Sequence, residues 1–417
     1  MTIRRQPSDF RVEESLDAAF AQALVKAPTR ATPFAVYVLH KTSLTTPEAV
    51  SMLAKYVGAE QGGAAVEYGG LKDKHAHTTQ HVSIAVNGKE QAAGLPATIR
   101  QPGWAAERIG WSPEPMSAKA IATNRFTLVV RDLSKTESDN MTRRSRKLLE
   151  RPPTDSPDAP STTLLFTNYF GAQRFGSARH GEGWIAQKLI AGDFEGALKL
   201  AIATPARKDT GKTRVFTRLA SEHWGNWKKL AKELPRIPET HCIDALAQGR
   251  DFKDAFAQLP SFLQALYVEA FQSHLWNRTA HALLTTGVHS GARIKADDEF
   301  GEMLFTDAAA IPGELKLLNL PLLAPSIHIE DHPLWSAAAA GVLSAQDPPL
   351  TAADLRVPGV KRPFFGAADR QLIAAASGFT ITKPTDDDLT RGRIKRTVAF
   401  NLPRGCYATV VLRALGQ

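Results

Sequence analysis

Cysteine is nearly absent: Cys242 and Cys406 are the two in 417 residues, and they stand in no Cys-x-x-Cys or Cys/His spacing. That excludes a disulfide scaffold, argues against structural zinc and points to a reducing compartment. Long apolar runs are missing as well. No segment approaches the roughly 18 uninterrupted apolar residues of a membrane helix, and the start, Met1-Thr-Ile-Arg-Arg-Gln-Pro7, turns polar at once. The expectation is a cytoplasmic protein without a membrane span. No unit recurs with a period of about 20–50 residues, which speaks against a solenoid or propeller. Acidic residues are in deficit, 42 Asp plus Glu against 51 Lys plus Arg, giving a net charge of +9. Such an excess attracts polyanions, nucleic acid first among them, although a basic protein with no such partner would look the same. Hydrophobic content of 43% beside 22% charged residues belongs to a folded chain, and this length predicts two or three domains.

The pattern along the chain is mixed. Phe34 to Leu39 has strand composition, and a helix follows with Thr46 as expected N-cap, Pro47 at its first position and Glu48 in the first turn. Val50, Leu53, Ala54 and Val57 mark its buried face, and Gly58 stands where a left-handed cap belongs. Ala64 to Tyr68 and the alternating Val82, Ile84 and Val86 predict a strand pair, joined by a loop holding Gly69-Gly70-Leu71-Lys72-Asp73-Lys74. Phe126, Leu128 and Val130 alternate in another strand, and a basic helix with Arg143, Arg144, Arg146 and Lys147 follows. Residues 151–161 are too rich in Pro, Ser and Asp for helix or strand and read as a linker or exposed loop. Trp184 to Leu283 is mostly helical in pattern. Val398 to Leu402 predicts a strand, Pro403-Arg404-Gly405 a turn, and the β-branched run Cys406 to Leu412 a second strand.

Two phosphate-loop patterns fail. Gly211-Lys212-Thr213 has Ala206 where the earlier glycine belongs, and in Gly171 to Gly176 the following pair is Ser177-Ala178 rather than Lys-Ser/Thr. His75, His77 and His81 have a spacing that could serve a metal, the first two on a strand face and the last two on a helix face, but no carboxylate or cysteine is placed with them. The site expected carries no metal. Asp73 is the sharper feature. An Asp after glycines is often only a turn residue, yet Lys72 and Lys74 flank it with positive charge that would keep its carboxylate ionised or receive a phosphate. A carboxylate beside basic groups in a basic protein suits a nucleophile acting on nucleic acid.

Several segments together resemble the TruD family of tRNA pseudouridine synthases. They are Asp9-Phe10-Arg11-Val12-Glu13-Glu14; Gly70-Leu71-Lys72-Asp73-Lys74-His75-Ala76 with Thr78 and Gln80; and Asn124-Arg125-Phe126. Asn168 to Gly176, Ala270 to Asn277 and Phe400 to Arg413 extend the resemblance, in order, over nearly the whole chain.

The resemblance implies an α+β fold: a pseudouridine-synthase catalytic domain with a mixed, largely antiparallel sheet, residues 1–160 and 359–417, interrupted by the family's inserted domain at about 161–358. It implies conversion of uridine to pseudouridine in tRNA, at the uridine of position 13, by a cofactor-free monomer with tRNA as its partner. Asp73 takes the place of the catalytic nucleophile. The basic residue that precedes D-F-x-V-x-E in the family, commonly Lys, corresponds here to Arg4, and guanidinium is a sound bidentate partner for a carboxylate. Lys72 belongs to the same site. Asn124 would hold the substrate or the Asp loop by hydrogen bonds, and Phe126 would stack on the target base, a contact worth about 1–3 kcal/mol. Lys74, Gln173, Arg174 and Arg413 are candidate RNA contacts. For Gln173 and Arg174 the alternative is a turn whose aromatic neighbours anchor the domain junction, and for Arg413 a buried ion pair.

The chain departs from the family at Thr123 for Gly, Cys406 for Ser and Ala414 for an acidic residue. None removes a catalytic group. Two other functions stay in view: a non-catalytic RNA-binding protein on the same fold, and a metal-dependent hydrolase using His75, His77 and His81.

Overall fold

A computed structural model describes residues 3–58, 66–86, 88–150, 162–176, 178–180, 183–206, 209 and 211–417. The stretch expected to be a linker, 151–161, lies outside the described residues, as do 64–65 of the anticipated strand. The chain divides into two units, Met1–Phe166 with Ala374–Gln417, and Thr167–Ile373.

In the first unit, segments of alternating apolar and polar residues form an 11-stranded sheet. Its strands are β1 (Phe10–Leu16), β2 (Phe34–Thr42), β3 (Val66–Tyr68), β4 (His77–Ala85), β5 (Thr98–Gln101), β6 (Trp104–Ser112), β7 (Ile121–Leu133), β8 (Leu164–Thr167), β9 (Ile373–Ile381), β10 (Thr385–Asp386) and β11 (Ile394–Pro403). The order is β5-β6-β2-β4-β1-β7-β11-β9-β8, with β3 on β4 and β10 on β11. β1 and β4 run parallel, while β2 with β4, β1 with β7 and β7 with β11 are antiparallel. The sheet is therefore mixed and largely antiparallel, and its interior strand β7 lies between strands from opposite ends of the chain.

Register decides what one face presents, because side chains alternate across a strand. Asn124 lies opposite Glu14 and Leu402, and Phe126 opposite Val12 and Phe400. Val12 pairs with Thr78, and Thr78 with Lys41, so the same face continues across β4 and β2. The helix Thr46–Tyr56 packs on this face over a core containing Tyr37, Leu39, Val82, Ile84 and Leu53.

That helix begins one residue earlier than its sequence suggests. Thr45, not Thr46, is the N-cap: its hydroxyl accepts the Glu48 N–H (3.2 Å), and Glu48 accepts the Thr45 N–H (2.7 Å), so the capping box spans 45–48. Thr46 is left for another task in the site. Gly58 has φ +68°, as a C-terminal cap requires.

The run Cys406 to Leu412 is not a strand. After β11 the chain turns through Gly405 at φ +80° and forms a helix, Ala408–Ala414, in which Ala408, Val410, Val411, Leu412 and Ala414 are all buried. A short apolar run buried on several sides carries no periodicity that separates helix from strand.

The second unit is mainly helical and contains the 27-residue helix Ser261–Gly287. Phe271, Leu275 and Trp276 are fully buried in it. Asn277 closes a reciprocal pair with the Phe170 backbone (2.8 and 2.9 Å), and Trp276 donates its indole N–H to the Leu320 carbonyl (2.9 Å). The Asn168–Gly176 and Ala270–Asn277 segments thus bind each other, a structural role.

Candidate active site

The loop joining β3 to β4 presents Asp73, and its path is over-determined. Gly69 has no room for a side chain, since a Cβ there would sit 2.5 Å from Ile121 Cγ1 and 3.2 Å from the Ser117 carbonyl. The Lys72 N–H donates to Thr46 Oγ1 (2.9 Å), and the buried Thr46 hydroxyl donates onward to Gln80 Oε1 (2.9 Å). Lys41 Nζ donates to the Asp73 carbonyl (3.0 Å) and the Leu44 carbonyl (2.7 Å). The backbone of Asp73 is fixed while its carboxylate stays 34% exposed.

The charges pair differently from the arrangement expected of the flanking lysines. Asp73 Oδ2 meets Arg4 Nη2 at 2.7 Å. Lys72 turns away to form an ion pair with the buried Glu14, and Lys74 pairs with Glu48 at 3.2 Å. Neither lysine makes the ion pair to Asp73. The reason is Glu14, a carboxylate with no exposed side-chain surface that needs a cation more than the solvated Asp73 does. Burial pushes the Glu14 carboxyl up, but hydrogen bonding from His81 and the Lys72 charge outweigh it and hold Glu14 below its usual range. Burial also depresses the Lys41 ammonium, to about 8, against the opposing pull of Asp73. Glu48 falls to about 2 through its hydrogen bonds from Thr45 and then Lys74.

Arg4 links the carboxylate to an aromatic cluster. Its guanidinium lies over the Phe10 ring at 4.4 Å. Phe10 meets Phe126 edge-on at 6.2 Å, and Phe126 lies 5.9 Å from Phe400. Asn124, one step along β7 on the same face, has a solvent-shielded Oδ1 without a hydrogen-bond partner among the described residues. Asp73, Arg4, Lys72, Asn124 and Phe126 all belong to the first unit.

The candidate RNA contacts stand elsewhere. Gln173 is exposed on a turn of the second unit, where Arg174 bonds Glu269 (2.7 Å) and Ser273 (3.3 Å) and so is tied to the long helix. Arg413 donates to the Gln417 carbonyl (3.2 Å). His77 and His81 share strand β4, not a helix, about 13 Å apart by strand rise. His75 is exposed, and His81 lies against Glu14 at 3.7 Å. Among the described residues no group of three or more His, Cys, Asp or Glu is disposed to hold a metal ion.

Lys41, Thr46, Glu14 and Gln80 hold the site together, although from sequence Thr46 reads only as a cap, Glu14 and Gln80 stand in the family-like segments without a role, and Lys41 is not singled out. A lysine and a glutamate in alternating strands look like solvent-facing positions; the available signal was that both fall on the same parity as apolar core residues.

A loop-borne carboxylate, paired with a guanidinium beside a cluster of aromatic rings, is an arrangement chemically suited to an enzyme that acts on a flat ring through an anionic group. The family model of tRNA pseudouridine synthase D (TruD) matches residues 1–299, and the chain belongs to this family. It is 27% identical over 413 residues to the tRNA pseudouridine synthase D of Aquifex aeolicus, covering 98% of each chain. With the enzyme of that name from Leptospira interrogans serogroup Icterohaemorrhagiae serovar copenhageni it shares 24% over 423 residues, 99% of this chain and 95% of the relative. A solved Methanosarcina mazei structure bearing the same enzyme name superposes with a TM-score of 0.65 at 19% identity, covering 99% of this chain and 92% of the other, and shows the shared α+β fold.

Proposed function

We propose that the protein isomerises uridine to pseudouridine in tRNA, with Asp73 as nucleophile and the uridine of position 13 as target. The reaction breaks the ribose C1′–N1 bond, forms C1′–C5, removes the C5 proton and protonates N1, so nothing is oxidised and no atom is gained. Family membership supports the reaction and the tRNA substrate; the motif resemblance supports position 13.

One observation carries the catalytic assignment. A single guanidinium, Arg4, bonds the Asp73 carboxylate at 2.7 Å and lies on the aromatic cluster that includes Phe126. A uracil extruded from its stack can rest against Phe126, and Asn124 Oδ1 can accept its N3–H. Arg4 then aims the carboxylate at the ribose C1′ or the uracil ring. Lys72 supports the site indirectly, by neutralising Glu14 beneath the loop.

The test is pseudouridine formation in a uridine-containing tRNA with a chelator present, comparing wild type with Asp73→Asn. Wild type should act despite chelation, and the variant should bind tRNA without converting it. Full activity in Asp73→Asn would remove the nucleophile assignment. Activity abolished by the chelator would point to a metal requirement instead.

A further inference from the structure

We propose that Lys41 is a positioning residue for the reaction: its ammonium clamps the Asp73 backbone in the attitude from which the carboxylate attacks. The inference deepens the function proposed above and rests on Asp73 being the nucleophile.

Lys41 is only 2% exposed, so its charge has left water and must be repaid by bonds inside the protein. Two carbonyls receive it, from different segments: Leu44, in the turn that enters the Thr46–Tyr56 helix, and Asp73, in the catalytic loop. The same turn receives the loop a second time, through the Lys72 N–H bond to Thr46 Oγ1. Turn 44–46 and loop 72–73 are thus joined twice: directly, by the Lys72 N–H donating to Thr46 Oγ1, and through Lys41, whose ammonium donates to the carbonyls of both Leu44 and Asp73. Removing the ammonium releases the carbonyl of the nucleophile itself, while Arg4, Glu14 and the aromatic rings are left as they were.

The charged groups acting on Lys41 are Asp73 and Lys72 from the loop and Glu48 from the helix. Burial is the largest influence and holds the ammonium near 8, below its free value of 10.5. Between those values the unfolded chain binds more protons than the folded one, so rising pH stabilises the fold through this group. The same deprotonation removes the charge that strengthens the clamp. Activity therefore falls while stability rises as pH passes 8, whereas a lysine that only supported the fold would leave kcat flat there.

The experiment measures kcat and KM on a tRNA transcript from about pH 6.5 to 9.5, together with melting temperatures, for wild type, Lys41→Met and Asp73→Asn. Wild-type kcat should fall through about pH 8 with no parallel fall in melting temperature. Lys41→Met should lose about 100-fold in kcat, the scale of a misplaced reacting group, keep KM within about twofold and lack the alkaline fall. A Lys41→Met kcat within about threefold of wild type overturns the proposal, as does a loss confined to KM. Should that variant fail to fold, the wild-type profile decides alone, and a rate flat across pH 8 overturns it. Activity retained in Asp73→Asn would instead defeat the nucleophile reading, while an inactive Asp73→Asn beside a near-normal Lys41→Met defeats the role of Lys41 only.

Discussion

Four cations lie on or around the Asp73 loop, and each has its own carboxylate or carbonyl partner: Arg4 takes Asp73, Lys72 takes Glu14, Lys74 takes Glu48, and Lys41 takes backbone oxygens. Arg4 is singled out by shape, since a planar guanidinium can bond a carboxylate at its edge and cover a ring with its face. Arg4→Met should lower kcat about 10- to 100-fold with little loss of melting temperature, and Arg4→Lys should recover part of it, keeping charge but not planarity. Glu14 behaves oppositely, as a stability residue. Its folded pKa is depressed, so its contribution is present above the free value of 4.5 and fades as pH falls through the lower folded value. Glu14→Gln should leave Lys72 without its buried partner, cost about 3–5 kcal/mol in chemical denaturation at neutral pH, and flatten that acid dependence. Asp73 and Arg4 could be picked out in the sequence because their neighbours formed a motif. Lys41 could not, because an isolated lysine in a strand says nothing of the loop that folds over it.

At the scale of elements, a loop and a strand junction carry the site. Gly69→Ala forces a methyl into Ile121 and toward the Ser117 carbonyl, so the loop must shift. Activity should fall about 100-fold while tRNA binding holds, which filter binding and a rate assay would separate. The N-terminal segment is anchored by Arg131 on β7, buried at 3% exposure, which bonds Asp9 at 2.9 Å, Asp387 at 2.7 Å and Asp388 at 2.8 Å. Asp9 in turn accepts the Gln6 N–H (3.1 Å), fixing the approach of Arg4 to the loop. Periodicity and caps made β2, β3, β4, β7, β11, the helix after β2 and the helical pattern of the second unit legible, whereas β1, β5, β6, β8, β9 and β10 were not singled out. Two failures have local causes. Adjacent threonines at 45 and 46 both fit a cap, and only the reach of Glu48 chooses between them. Cys406 to Leu412 is apolar enough to be buried in either conformation.

Over the whole molecule, the +9 charge is unevenly usable. Of the basic run 391–396, Arg393 is bound to Asp132 (2.8 Å) and Glu137 (3.3 Å), and Arg396 is buried against the Thr382 and Ser138 carbonyls (2.7 and 2.9 Å). Those two arginines hold the fold. Arg143, Arg146 and Lys147 stay exposed on the helix Lys135–Leu148 and suit phosphate contacts. Replacing all three with Gln should weaken tRNA binding and reduce the slope of log affinity against log salt by about two to three. An unchanged slope would place the RNA elsewhere. Composition alone signalled a polyanion; it could not distinguish surface arginines from those spent inside.

The placement of β7 between β1 and β11 also governs when the enzyme exists. Phe126 is synthesised early, but its neighbour Phe400 leaves the ribosome only after all of the second unit has been made. A growing chain can thus carry Asp73 and Arg4 for most of its synthesis without the third ring of the cluster or the second edge of its interior strand. A chain cut short before β11 would leave Phe126 without Phe400 beside it and β7 without its second neighbouring strand.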